Sequence, residues 1–118
     1  MSLVMATAIL ALAGCSASDP YVDLAPADAA FMNDMSEAQG LQLGNVEAHK
    51  LNAQVACERL RLKLPASKSS ALLVVTATMT QEEKIEQDEA SRVLHVSAKH
   101  FCPEFEPDAA KWRAIASD

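Results

Sequence analysis

Residues 46–63, VEAHKLNAQVACERLRLK, indicate the fold class of the chain. Their apolar or boundary positions recur every three or four residues, which is the spacing of one face of an α-helix. The basic side chains near the end complement the helix dipole, and Pro65 stops the helix. The stretch therefore predicts an amphipathic helix over Val46 to Lys63. Its apolar face is Val46, His49, Ala53, Ala56 and Leu60, with Cys57 beside it.

A second helix is predicted upstream, over residues 27–39. Its apolar face is Phe31, Met35 and Ala38, at helical spacing. Asp28 lies in the first turn, where a negative charge interacts favourably with the helix dipole. Gly40 ends the helix, because glycine readily adopts the left-handed conformation that follows many helices.

Residues 69–79, SSALLVVTATM, are compatible with two structures. The apolar, β-branched run from Leu72 to Thr78 could form a buried strand, and periodicity does not decide such short runs. A lone strand without a partner run elsewhere would leave its backbone groups unpaired. We therefore expect a short buried helix whose N-cap is Ser69 or Ser70.

The next four residues, Thr80-Gln81-Glu82-Glu83, match a capping box. In this motif Thr80 caps the first turn and the Glu83 side chain reaches back to the Thr80 backbone. The motif predicts the longest helix, from Thr80 to about Phe101, which Pro103 terminates. The side chains expected to point inward are Ile85, Val93, Val96 and Phe101.

The C-terminal tail, residues 105–118, is predicted to add a short helix that begins at Pro107 and runs through Ile115. It carries Trp112, the only tryptophan, which could cover one end of the core. Together the segments predict an all-α fold, a small bundle of about four helices in residues 27–104. A chain of this length fits a single domain.

An uncharged apolar run from Leu3 to Ala13 precedes these helices. At about eleven residues it is too short to cross a bilayer, which takes about 20 helical residues, and it matches the apolar part of a secretory signal. The sequence Leu12-Ala13-Gly14-Cys15, at its end, resembles the lipobox of bacterial lipoproteins. The resemblance implies a signal peptide over residues 1–14, cleavage between Gly14 and Cys15, and acyl chains such as palmitate on Cys15, which would anchor the protein on the extracytoplasmic face of the cell membrane.

This signal departs from the usual pattern, because residues 1–14 contain no Lys or Arg. Either the terminal amine suffices, or the true start lies upstream of Met1. The alternative is a buried hydrophobic helix with an incidental cysteine. After the anchor, residues 15–26 contain Pro20 and Pro26 and predict a tether, which at about 3.3 Å per residue reaches about 35 Å.

Two cysteines remain once Cys15 is assigned to the lipid, Cys57 and Cys102. The signal directs the chain to an oxidising compartment, so we expect these two cysteines to form a disulfide. Closing a loop of this length would stabilise the fold by roughly 4 kcal/mol in the chain-entropy model. The alternative is a pair of buried free thiols.

The net charge of −6 argues against nucleic acid as a partner, since such binding depends on Lys and Arg neutralising phosphates. The same charge argues against electrostatic attraction to anionic lipid surfaces. The acidic side chains between residues 82 and 89 are interpreted as solvated charges at helix ends.

Motifs for catalysis or metal binding are missing from the sequence. There is no G-x-S-x-G turn, no glycine-rich phosphate loop and no H-E-x-x-H pair. Glu82 and Glu86 are placed on one helix face and interpreted as solvated charges. His49, His95 and His100 lack the spacing and further ligands of a zinc site, so we interpret them as core or boundary histidines. We expect no catalytic residue, metal ion or cofactor.

The order of several short motifs resembles the domain of unknown function 732 (DUF732) family. These motifs are Phe31, Gly40-Leu41, Cys57 and the ending Phe101-Cys102-Pro103, and the resemblance spans residues 27–104. It implies a small, mostly actinobacterial, secreted or lipid-anchored helical protein with a disulfide between Cys57 and Cys102. The chain departs from the family pattern at Ala56, where Val is common, and in the Lys- and Ser-containing linker over residues 65–70.

An anchor, a disulfide and the lack of a catalytic motif predict a non-catalytic lipoprotein of the cell envelope that acts by binding another envelope protein. One variant is exclusion of incoming phage by a prophage-encoded lipoprotein. The alternative function is a carrier whose helices enclose a small apolar ligand. The residues expected around that ligand are Phe31, Met35, Leu72 and Phe101.

Overall fold

Five α-helices make up the described part of the chain, which in this computed structural model comprises residues 20–62 and 67–116. They are α1 (Pro26–Gln39), α2 (Val46–Leu62), α3 (Lys68–Glu83), α4 (Gln87–Phe101) and α5 (Glu106–Ala116), and a 3-10 helix (Pro103–Phe105) connects the last two. These residues contain no strand. The predicted all-α class is therefore confirmed, with α1 to α4 as the predicted bundle of about four helices and α5 as the predicted helix of the tail.

The first two helices have the predicted positions. Helix α1 begins one residue earlier than expected, and Gly40 ends it in the left-handed conformation, at φ 75°. At the start of α2 the Asn45 side-chain oxygen accepts a hydrogen bond from the Ala48 N–H at 3.2 Å, which caps the first turn. The predicted last residue of this helix, Lys63, and the predicted stop at Pro65 lie outside the described residues.

The apolar segment over residues 69–79 is helical, as predicted, and belongs to α3. The predicted N-cap of this helix is wrong. The N-cap is Ser67, whose hydroxyl oxygen accepts a hydrogen bond from the Ser70 N–H at 3.1 Å. Ser69 and Ser70 therefore belong to the first turn. The helix also continues to Glu83, beyond the predicted end at Met79.

The predicted capping box at Thr80 is wrong as well. Thr80 lies inside α3, where its hydroxyl donates to the carbonyl oxygen of Ala77 at 2.8 Å. The helix ends at Glu83, and its C-cap, Lys84, adopts a left-handed φ of 57°. Helix α4 starts only at Gln87, after the N-cap Glu86. Glu82 and Glu86 therefore do not share a helix face.

Packing explains the break between α3 and α4. Ile85, in the connection, is partly buried and packs against the core between the two helices. Met79 and Leu94 belong to that same core. If one straight helix continued through Lys84, these two residues would lie far apart along its axis and could not share a core. The left-handed residue instead turns the chain so that α4 packs back against α3.

Helix α4 lies at the centre of the bundle and contacts each of the other four α-helices. Two groups of buried side chains surround it. The disulfide cluster comprises Ala56, Cys57, Leu60, Ala71, Leu72, Val75, Met79, Ala90, Leu94, Ala98, Cys102, Phe105 and Ala109. The N-terminal cluster comprises Tyr21, Phe31, Met32, Met35, Ala38, Ala53 and Val96. Val93 and Phe101, both on α4, pack against both clusters.

The C-terminal segment belongs to the bundle. Helix α5 lies within one residue of the predicted tail helix at each end. Phe105, just before it, is completely buried in the disulfide cluster, and Trp112 packs against that cluster from outside. The aromatic side chains of residues 105–116 therefore form part of the core.

Candidate functional site

The predicted lipidation residue, Cys15, and the predicted cleavage site after Gly14 lie outside the described residues, which begin at Pro20. No helix in the described ranges has the length and apolar character needed to span a membrane. The nearest described residues to the predicted anchor are those of the predicted tether. These residues are packed onto the domain.

Tyr21 is the residue that fastens this segment, and only 6 % of its surface is exposed. Its hydroxyl donates to the carbonyl oxygen of Leu43 at 2.7 Å and accepts from the N–H of Leu43 at 2.8 Å. Because the single hydroxyl proton is directed at Leu43, the Ser36 hydroxyl donates the third bond, at 2.7 Å. The folded domain therefore begins at least six residues before the predicted boundary at Ala27.

The Tyr21 hydrogen bonds join two surface segments, residues 20–24 and 40–45, which we call the N-terminal patch. Val22 and Leu41 are exposed in it, at 64 % and 56 % of their surfaces. An open hollow of about 340 Å³ is lined by other residues of both segments together with Met32 and Val46. Asp23 is the only charged residue among the eleven positions of the patch.

The predicted disulfide is present. Cys57 on α2 is bonded to Cys102, the residue that follows α4, with a Cα–Cα distance of 5.8 Å. Both cysteines are buried in the disulfide cluster. The bond joins residues 45 positions apart in sequence and links the helices on either side of that core.

A cleft of about 210 Å³ opens between α1, α2, α3 and α4. Its apolar lining includes Met35, Ala53, Val75, Met79 and Val93, and its polar lining includes Gln39, His49, Asn52, Arg59, Glu82 and Glu83. Arg59 and Glu82 form an ion pair across its edge at 3.2 Å. The cleft can therefore receive a small group with an apolar body and a polar end.

Glu83 gives the cleft an unbalanced negative charge. Within the described residues its carboxylate forms no ion pair, since Arg59 is bonded to Glu82. Partial burial raises the pKa of Glu83, and repulsion from Glu82 and Glu89 adds to the rise, while Arg59 acts in the opposite direction. A cationic group in the cleft would relieve this repulsion.

The residues expected around a carried ligand do not come together in this cleft. Met35 lines it, whereas Phe31 and Leu72 are fully buried in different clusters. Phe101 packs on Phe31 edge to face, with ring centroids 5.3 Å apart. These aromatic rings fill space in the core and do not line the cleft.

The histidines have separate local roles. His100 contacts the Asp34 carboxylate at 2.8 Å, and Lys99 donates to the same oxygen at 3.0 Å, so both link α4 to α1. Partial burial raises the pKa of Asp34, but these two hydrogen bonds outweigh burial and hold it below its ordinary value. His49 lines the cleft.

His95 links α4 to α5. Its Nδ1 accepts from the Arg113 guanidinium at 3.0 Å, which leaves the proton on Nε2 to be donated to Glu106 at 3.1 Å. The hydrogen bonds of His95 and His100 go to charged side chains and not to a serine or cysteine nucleophile. Among the described residues, no group of three or more His, Cys, Asp and Glu side chains could hold a metal ion.

Sequence reasoning missed the role of Tyr21. Pro20 and Pro26 made its segment look like a linker, and a buried tyrosine in a turn has no periodicity to reveal it. The one available signal was Tyr21 itself, a lone aromatic residue between two prolines.

Comparison of the chain with family models, with curated proteins and with solved structures found no match in any of the three. The resemblance to the DUF732 family therefore stays a prediction.

Proposed function

We propose that this chain is a non-catalytic lipoprotein of the cell envelope, anchored through Cys15, whose helical domain binds an envelope protein. The observation that carries the proposal is the sequence Leu12-Ala13-Gly14-Cys15 at the end of an uncharged apolar run. Such a run is too short to span a bilayer, and it places a cysteine where a lipoprotein signal is cleaved.

The disulfide supports the proposed location in the cell envelope. Disulfides persist in oxidising surroundings and are rare in the cytosol, and small exported domains use them to offset a limited core. Here the bond between Cys57 and Cys102 is buried among side chains that are mostly small, including four alanines of the disulfide cluster with 1 % or less of their surface exposed. This disulfide bond would form and persist in a domain that is exported from the cytosol.

The position of the fold relative to the anchor also supports action at the membrane. Tyr21 is packed into the domain only six positions after Cys15. A lipid on Cys15 would therefore keep the domain beside the bilayer, where its partner would be another envelope protein. Exclusion of incoming phage is one form of this function, in which the partner is a component of phage entry.

A carrier of a small apolar ligand is the second candidate, and the cleft supports it. The cleft is lined in part by Met35 and Met79, and flexible methionine side chains adapt to varied ligands. Its volume of about 210 Å³ is below the roughly 300 Å³ of typical ligand sites. Only a small ligand would fit.

The mass of the membrane-extracted protein tests the anchor. We expect a mass that starts at Cys15 and includes acyl chains, and two thiols that become alkylated only after reduction. A Cys15→Ser variant should lose the acyl mass, whereas the matched Ser16→Ala variant should keep it. A protein that retains Met1, has no acyl chain and exposes free thiols would overturn the proposal.

Partner binding is tested separately by photo-crosslinking in intact envelopes. The anchored protein should crosslink to a protein partner, and the Cys15→Ser variant should lose that crosslink although its domain still folds. Equal crosslinking by the unanchored variant would contradict action at the membrane surface. Retention of a small molecule by the purified domain, detected by native mass spectrometry, would favour the carrier instead.

A further inference from the structure

The short chain between the predicted anchor and the domain restricts which side of the molecule can face the membrane. Cys15 and Pro20 are five residues apart, so their Cα atoms are separated by at most about 18 Å. The predicted tether of residues 15–26 would have allowed roughly twice that reach. Because Tyr21 fixes the chain to the bundle, the segment that leads to the anchor leaves the domain at one defined place.

That place is the N-terminal patch, and its composition differs from the rest of the chain. Charged residues make up 22 % of the whole sequence, but only Asp23 is charged among the eleven residues of the patch. Val22 and Leu41 expose more than half of their surfaces there, and Leu24 and Leu43, in the same two segments, are partly buried. Apolar side chains with few charges can enter the interfacial layer of a bilayer.

We propose that the N-terminal patch rests on the lipid surface of the membrane that carries the anchor, with Val22 and Leu41 in contact with lipid. This inference rests on the proposed lipidation of Cys15. The anchor holds the patch next to the bilayer at high effective concentration, so a contact too weak to bind the free domain becomes occupied. The opposite surfaces of the bundle are then left for a protein partner.

The contact is apolar and not electrostatic. The chain has a net charge of −6, and the patch contains no Lys or Arg that could attract anionic lipids. Contact with lipid should therefore occur on zwitterionic vesicles and change little with salt. Anionic lipids should not strengthen it.

The test uses the acylated full-length protein reconstituted in phosphatidylcholine vesicles. A polarity-sensitive fluorophore is attached to Val22→Cys or Leu41→Cys, and in matched controls to Leu62→Cys or Leu73→Cys. The control positions are also exposed apolar side chains, at 74 % and 51 %, but they lie on α2 and α3 away from the patch segments. Quenching by brominated lipid chains is then measured at each position.

We expect quenching at positions 22 and 41 to exceed quenching at positions 62 and 73 by at least about twofold, since interfacial side chains enter the bilayer by about 5–10 Å. A Leu41→Asp substitution should reduce quenching of the label at position 22. Equal quenching at all four positions of the acylated protein would overturn the patch proposal and leave the anchor intact. Shielding of the patch in native envelopes but not in pure lipid vesicles would also overturn it, because a protein would then be the occupant.

Mass spectrometry on the same samples separates this proposal from the function on which it rests. An acylated protein without selective quenching means that only the lipid contact is wrong. A protein without acyl chains means that the anchor and the lipid contact are both wrong. Acylation together with selective quenching at positions 22 and 41 supports both.

Discussion

The two buried clusters of this domain are held together by different means. The disulfide cluster contains the covalent bond between Cys57 and Cys102 and is enclosed by α2, α3, α4 and the C-terminal segment. The N-terminal cluster relies on packing of α1 and on polar links such as the Tyr21 hydroxyl. Side chains of α4 belong to both. We therefore expect the covalently closed half to unfold only together with the whole domain, and the half next to the predicted anchor to loosen separately.

Truncation of one phenylalanine in each cluster is expected to change the stability most. Phe105 and Phe31 are both essentially inaccessible, so truncation of either to Ala should cost about 3–5 kcal/mol of unfolding free energy. Phe105→Ala should lower hydrogen-exchange protection in all five helices. Phe31→Ala should lower it mainly in α1, because the disulfide restrains the rest. Similar exchange patterns in the two variants would show that the clusters unfold as one unit.

Removal of the disulfide tests the covalent half directly. The double variant Cys57→Ala, Cys102→Ala should lose about 4 kcal/mol, because a closed loop of this length restricts the unfolded chain. Urea unfolding of the oxidised protein, the reduced protein and the double variant checks this. The unfolding free energies of the reduced protein and the double variant are expected to agree. A loss below about 1 kcal/mol would mean that packing alone holds the disulfide cluster.

Loss of the Tyr21 hydroxyl should loosen the attachment of the N-terminal segment to the domain. Tyr21→Phe keeps the ring but leaves the Leu43 N–H and carbonyl without their partner, which should cost about 1–2 kcal/mol. The Leu43 amide should exchange faster while the amides of α3 are unchanged. Ser36→Ala is the matched control, since it removes only one of the three bonds and should cost less. An unchanged Leu43 exchange rate would show that this contact does not fasten the N-terminal segment.

The sequence predicted those parts of the fold that local sequence patterns specify. Helices α1 and α2 follow from periodicity and from Gly40, and their boundaries agree within a residue where both are described. The break at Lys84 could not be predicted, because a lysine in the left-handed conformation has no local signature. It is imposed by packing between α3 and α4. Thr80 and Glu83 matched a capping box by type, yet both lie inside a helix.

For the same reason, only part of the candidate site was predicted from the sequence. The pairing of Cys57 with Cys102 followed from counting cysteines in a chain predicted to be exported, and the structure contains it. The Tyr21 contact with Leu43 joins residues that are 22 positions apart in sequence. Such a juxtaposition is set by tertiary structure and not by any spacing within the segment.

A smaller effect is expected from the polar link between α1 and α4. The hydrogen bonds from His100 and Lys99 outweigh partial burial and lower the pKa of Asp34. A lowered carboxyl pKa contributes stability that is present above the ordinary value of 3.8 and is lost as the pH falls through the folded-state value. Asp34→Asn should cost less than about 1 kcal/mol at neutral pH, because a third of the side chain is exposed. Its unfolding free energy should approach that of the native protein in acid; a difference that is constant with pH would refute the electrostatic origin.

The smallest effect has the opposite sign and lies in the cleft beside the disulfide cluster. Burial and the neighbouring Glu82 and Glu89 raise the pKa of Glu83, so its ionised form disfavours folding above the folded-state pKa, and this cost disappears below the ordinary carboxyl value. Glu83→Gln should therefore raise the unfolding free energy at neutral pH by a few tenths of a kcal/mol, since much of the residue is in water. The gain should vanish in acid. Glu58→Gln, at an exposed position of α2, is the matched control and should show no comparable gain. A destabilised Glu83→Gln variant would mean that the carboxylate is engaged in a favourable contact, and would remove the argument that the cleft carries an unbalanced charge.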